Sequence, residues 1–154
     1  MDAESIARSV TVQEADFDAG AELARLRTAG DVGAVASFVG AVRGDDAVAE
    51  LELEHYPGMT EASIGTIIEE AARRWPLLAV RVIHRVGRLR LGDQIVFVGV
   101  ASQHRAAAFA ACEFLMDYLK TRAPLWKKER TADGERWVEA KARDRDAAAR
   151  WSGD

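Results

Sequence analysis

AVRVIHRVGRLRLGDQIVFVGVA, residues 79–101, decides what kind of sheet this chain builds. Residues 79–86 and 94–101 are dense in β-branched and apolar side chains, so each reads as a strand, and Gly92-Asp93 links them as a turn. Toward the N-terminus, Ile64, Ile67, Ile68, Ala71, Ala72 and Trp75 recur at helical spacing, with Thr60 as the expected cap and Pro76 just beyond the end. Before that helix, residues 48–56 (VAELELEHY) alternate cleanly: Leu51 and Leu53 share one face, and Glu50, Glu52 and Glu54 share the other. A turn at Gly44-Asp45-Asp46 separates this strand from residues 33–43, a buried-looking strand whose Gly40 admits close approach by a backbone or ligand. A helix over 17–29, capped by Asp18 and ended by Gly30, and a first strand over 9–13 complete the N-terminal half.

Toward the C-terminus, residues 102–122 read as a long helix with Ser102 as N-cap and Phe109, Cys112, Met116 and Leu119 on its inner stripe. Residues 125–130 and 135–140 form a hairpin around Asp133-Gly134, and 144–151 is a short helix or a tail. Strands therefore come in adjacent pairs separated by helices. That order predicts an α+β fold, a mostly antiparallel sheet packed with helices plus a C-terminal β-hairpin. A single domain over 1–154 is expected, with 1–8 and 142–154 flexible.

Composition narrows the function. A chain of 154 residues can bury roughly 68–70% of its unfolded surface without staples. Cys112 is the only cysteine, which excludes an internal disulfide and a cysteine metal cage and fits a reducing compartment. The longest apolar runs fall well short of the ~20 residues of a membrane span. With no apolar signal core in MDAESIARS, a cytoplasmic protein is expected. The acidic pI of about 5.5 argues against broad binding to nucleic-acid backbone. His55 and His84 have no second ligand at metal spacing, so no metal is expected. A phosphate-binding P-loop, a dinucleotide glycine fingerprint and a serine-hydrolase elbow are all absent from the sequence.

Against that acidic background, YLKTRAPLWKKER (residues 118–130) carries five basic residues and one acid. A cationic island in an anionic protein indicates a local anion site. Pro124 ends the helix that carries Lys120, and an extended segment carries Lys127, so the two lysines flank a chain reversal and can converge on one pocket. Two ammonium groups held close depress each other's pKa, and such a pair can serve as base, nucleophile or anion clamp. The alternative is a solvated cationic face. Two further segments could join them. His104 and Arg105 stand at a helix start, where cations oppose the dipole but anions bind, unless both simply face water. Arg43 ends a strand and could grip a phosphate or carboxylate, or pair with Asp45 or Asp46. Cys112 lies on an apolar stripe and reads as core, while Trp75, Trp126 and Trp137 read as core or interface.

The strings LEHYPGMTE (53–61), VIHRVGRL (82–89), GDQIVFVGVASQHR (92–105), MDYLKTRAPLWKKE (116–129) and RWVEA (136–140) together resemble the large, catalytic subunit of molybdopterin synthase. The likeness runs in register from about residue 30 to 141. It implies an α/β hammerhead fold and a large-subunit homodimer within a heterotetramer. Each large subunit would carry a small ubiquitin-like partner, whose C-terminal Gly-Gly thiocarboxylate delivers sulfur to cyclic pyranopterin monophosphate and so builds the dithiolene of molybdopterin. By position, the resemblance assigns Lys120 and Lys127 as catalytic and Arg43, His104, Arg105, Lys128 and Glu129 as substrate-binding. It implies no cofactor and no metal. Two positions depart from the resemblance: Ala41 stands where some relatives carry a lysine, and Lys141 where an arginine is common. The competing readings are a non-catalytic module for a phosphorylated ligand and an RNA-binding α+β domain, the latter using 120–130 with Trp126.

Overall fold

The protein is described by a computed structural model, which covers residues 2, 4–5, 9–43, 50–138 and 142–152. At its centre lies β6 (Gln94–Ser102). Val96, Val98 and Val100 of this strand pack into one apolar cluster, and Phe97 and Ala101 into another on the opposite face. A strand covered on both sides has no solvent-facing positions to fill with polar residues, which is why QIVFVGVAS reads as a continuous apolar run. Its neighbours are β4 (Ala79–Arg85) and β2 (Ala34–Ala41), both antiparallel to it. β1 (Val10–Gln13) adds to the far side of β4 in the one parallel pairing among the described strands. Helices α2 (Met59–Arg74) and α3 (Arg105–Leu119) cover the valine face, where Ile64, Ile67, Ile68, Phe114 and Leu115 are fully buried. The opposite face is covered by α1 (Ala19–Leu26), whose N-cap Asp18 accepts from the Ala21 amide at 3.0 Å.

A second sheet, entirely antiparallel, runs β5 (Gly87–Arg90), β3 (Glu50–His55), β7 (Leu125–Thr131), β8 (Gly134–Val138). Leu51, Leu53 and Leu89 turn inward from it and meet Val42 and Val86. The alternation of 48–56 is thus realised over the described part of β3. The last helix, α4 (Ala142–Ala149), ends beside Trp151, whose ring meets Trp75 and Phe114 edge-on at 5.7 and 5.5 Å. The architecture is the α+β arrangement expected, with two mostly antiparallel sheets.

Several local expectations are corrected. The link between 79–86 and 94–101 is not a simple turn, because β5 leaves for the second sheet before Gly92-Asp93 returns the chain. Four residues of RLR-type alternation, with only Leu89 buried, are too short a signal to read as a strand. The strand over 33–43 is an edge rather than a buried element: Ser37, Phe38 and Val39 are exposed, since only one side of it has a neighbour. Gly40 does allow close packing, because a Cβ there would stand 2.9 Å from Val96 Cγ1, and the register shifts between Gly40 and Ala41. Thr60 is not a cap. Gly58, at a φ of 84° that favours glycine, starts α2, and Thr60 is completely buried in its first turn. Ser102 is likewise the last residue of β6, its hydroxyl donating to the Pro76 carbonyl at 2.8 Å, and α3 begins after His104. Phe109 is 66% exposed, one position round the helix from buried Ala108. The expected turn at 44–46 and the ends of the strands over 48–56 and 135–140 include residues outside the described ones.

Candidate active site

α3 stops where Pro124 forbids its continuation. The amides of Thr121 and Arg122 close back on the Tyr118 carbonyl at 3.2 and 2.7 Å, and the chain reverses. The reversal is fastened from α2. Thr60 Oγ1 donates to the Pro124 carbonyl at 2.8 Å and accepts from the Tyr56 amide at 2.9 Å, so one buried hydroxyl ties the start of α2 to the turn. β7 then leaves the turn in register with β3, Lys127 opposite Leu53 and Glu129 opposite Leu51. Because Leu53 and Leu51 face inward, so do Lys127 and Glu129.

Between the end of α3, the inner face of the second sheet and the β2–β6 edge lies a cavity of about 550 Å³. Lys120 and Lys127 line it from either side of the Pro124 turn, and Arg43, Glu129, His84 and Asp144 add the remaining charged or titratable groups. Apolar walls come from Phe38, Leu53, Val96, Met116 and Leu125. Lys120 has no carboxylate partner among the described residues, whereas Glu129 Oε2 accepts from Arg136 Nε and Nη2 at 3.0 and 2.9 Å. A cavity of this size with apolar walls and convergent cations suits a planar heterocycle bearing an anionic group.

The other members of the cationic island go elsewhere. Lys128 turns to the outer face of the sheet, 3.6 Å from Glu135 and 4.5 Å from the centre of the Trp137 ring. Arg130 pairs with Glu135 on that face too. Arg122 lies over the Tyr118 ring and grips Glu70 with both terminal nitrogens. His104 and Arg105 are exposed at the opposite end of α3 from Lys120, about 22 Å away at 1.5 Å per residue, so within one chain they do not reach the cavity. Arg43 lines it; the Asp45 and Asp46 that could have paired with Arg43 lie outside the described residues, as does Lys141.

His84, which has no partner at metal spacing in the sequence, lines the cavity. It shares a face of β4 with core valines Val80 and Val82, and a titratable residue in line with two core positions was the available signal. It is 9% exposed, and its pKa is pushed down to about 4, by burial first and then by the nearby charges of Lys120 and Lys127. Cys112 is buried with its pKa pushed up to about 11, by burial and then by Glu113. At neutral pH that leaves an inert thiol. Among the described residues no group of three or more His, Cys, Asp or Glu side chains could hold a metal, and no helix is long and apolar enough to cross a membrane.

Three comparisons place this geometry among known proteins. The molybdopterin synthase catalytic subunit of Ralstonia nicotianae is 59% identical over 147 residues, 93% of this chain and 84% of the relative. The solved molybdopterin biosynthesis MoaE protein of Burkholderia ambifaria superposes with a TM-score of 0.82 at 55% identity, over 95% of this chain and 99% of that one. A Helicobacter pylori chain, from a protein–protein complex of subunits 1 and 2 of a molybdopterin-converting factor, shares the fold at 20% identity and a TM-score of 0.72, over 88% and 92%. The family model described as MoaE protein matches residues 12–122, which include β2, Thr60, His84 and Lys120. With the hammerhead sheets, the lysine-flanked cavity and these likenesses together, the chain belongs to the MoaE protein family.

Proposed function

We infer that the chain is the catalytic subunit of a molybdopterin synthase, a sulfurtransferase of molybdenum cofactor biosynthesis. It moves sulfur from the C-terminal thiocarboxylate of a small ubiquitin-like partner to cyclic pyranopterin monophosphate. The observation that carries this reading is the position of Lys120 and Lys127, one on each side of the Pro124 turn and both on the wall of one cavity. In this proposal the pterin ring lies against the apolar walls, and Arg43 takes the phosphate by fork-like hydrogen bonds. Lys120 meets the thiocarboxylate carbon and Lys127 neutralises the anions that develop during transfer. Glu129, held by Arg136, fixes the electrostatic balance beside Lys127. Sulfur arrives with the partner, which the inert Cys112 supports.

The same reading includes a homodimer of this chain inside a heterotetramer, as one domain working in the cytoplasm. A second copy would bring His104 and Arg105 to the cavity that their own chain cannot supply. Phe38 and Val39, both 41% exposed on edge strand β2 beside the cavity, support a second copy seated there. Lys128 contributes to this site only from outside the cavity. The test is reconstitution: this chain, a thiocarboxylated small partner and the pyranopterin precursor should yield dithiolene, and no product from a folded, partner-bound chain would refute the reading.

A further inference from the structure

His84 stands at the wall of the cavity with both of its ring nitrogens accounted for by geometry. Nδ1 lies 2.9 Å from the backbone carbonyl of Arg85. A carbonyl oxygen only accepts, so Nδ1 carries the proton and Nε2 is left with its lone pair. Among the described residues Nε2 has no hydrogen-bond partner. Nor is it sealed in, since the one buried and unpartnered side-chain atom among them belongs to Glu61. The remaining cations of the cavity, Lys120, Lys127 and Arg43, can only donate, and its two carboxylates are Glu129, whose Oε2 accepts from Arg136, and Asp144. His84 therefore supplies a neutral, fixed acceptor in a cavity whose other acceptor side chains are carboxylates.

We propose that His84 is a positioning residue of this site: its Nε2 accepts a hydrogen bond from the Lys120 ammonium as that side chain turns into the cavity, and so aims it at the reacting carbon. Lys120 is the first of the charges His84 feels, ahead of Lys127 and His55. The long lysine side chain at the helix end has the reach and freedom to swing, and the imidazole, tied to the β4 backbone, does not. A neutral acceptor holds an ammonium in place without taking away its charge, as a carboxylate at the same position would. The inference rests on the sulfur-transfer reading for its consequence but not for the contact itself.

Two arms separate the contact from the reaction. In the chain alone, 15N NMR should show His84 with Nδ1 protonated and Nε2 bare at neutral pH. The Lys120 ammonium should exchange with water faster in His84→Leu than in the wild type, with His84→Gln close to the wild type because its amide oxygen reaches the place of Nε2. A Lys120 signal identical in wild type and His84→Leu would overturn the proposal. In reconstituted sulfur transfer, His84→Leu and His84→Asn should lower the single-turnover rate about 10- to 100-fold while precursor affinity stays within about twofold. His84→Gln should recover most of that rate. Thermal melts confirm that each variant is folded at the assay temperature. An active wild type matched by His84→Leu sinks the positioning role alone, whereas a wild type that yields no dithiolene sinks the sulfur-transfer reading and leaves the NMR arm to decide the contact.

Discussion

Lys127 and Lys128 are adjacent in sequence and lie on opposite faces of β7. The inner face presents Leu125, Lys127 and Glu129 to the cavity. The outer face presents Trp126, Lys128 and Arg130, cross-strand from Glu54, Glu52 and Glu50, so that cations sit opposite acids in a surface ladder. Such exposed pairs contribute little to stability individually. Period-two alternation thus splits the cations of β7, sending Lys128 and Arg130 to the surface and Lys127 to the cavity wall that Lys120 also lines. A similar contrast holds along α3, where Lys120 at the C-terminal end reaches the cavity and His104 and Arg105 at the other end do not.

The most severe way to test this division is to remove the inward cation at the helix end. Lys120→Ala should cut single-turnover dithiolene formation by about 10²- to 10⁴-fold, with partner binding by titration calorimetry nearly unchanged. A rate within tenfold of wild type would show that the inner face is not the working one. Next in size is the turn that holds both lysines. Thr60→Val strands the Pro124 carbonyl and the Tyr56 amide, so urea melts should show a loss of about 2 kcal/mol and the transfer rate should fall with it. Thr60→Ser, which keeps the hydroxyl, should restore the rate more fully than it restores the packing.

Acid sharpens the comparison further. His84 has a folded pKa of about 4 against an ordinary 6.5, set by burial and by Lys120, Lys127 and His55. As pH falls from 6.5 toward 4, the unfolded chain takes up a proton that the folded chain refuses, so stability is lost across that window, by on the order of 3 kcal/mol. Below the folded value both states are protonated and this source of loss ends. Melts of His84→Gln should lack that share of the acid-side decline, and an unchanged slope would contradict the buried, neutral histidine. Smallest of all, Cys112→Ala should cost about 1 kcal/mol of packing and no sulfur transfer.

What was legible in the sequence follows the strength of local signals. β6, α2 and the hairpin after Pro124 are long, strongly patterned or punctuated, and stand close to where the pattern put them. β5 is four residues long and anchored by Leu89 alone, too little for periodicity to register. Thr60 and Ser102 look like caps because caps favour hydroxyls, but both hydroxyls are spent on distant carbonyls, of Pro124 and Pro76, which no local pattern encodes. The convergence of Lys120 and Lys127 was readable because one proline dictates the reversal. The separation of His104 and Arg105 was not, since a helix hides its length when three cationic segments are grouped by chemistry. His84 shows in the sequence as a histidine in line with valines, a pattern that speaks to burial but not to the cavity it lines.

The most direct test of the account compares the two neighbours of β7 in one assay. With thiocarboxylated partner and pyranopterin precursor at saturation, Lys127→Ala should transfer sulfur about 10²- to 10³-fold more slowly than wild type, and Lys128→Ala within about twofold of it. Equal losses from the two substitutions, or a larger loss from Lys128→Ala, would contradict the assignment of the chemistry to the inner face.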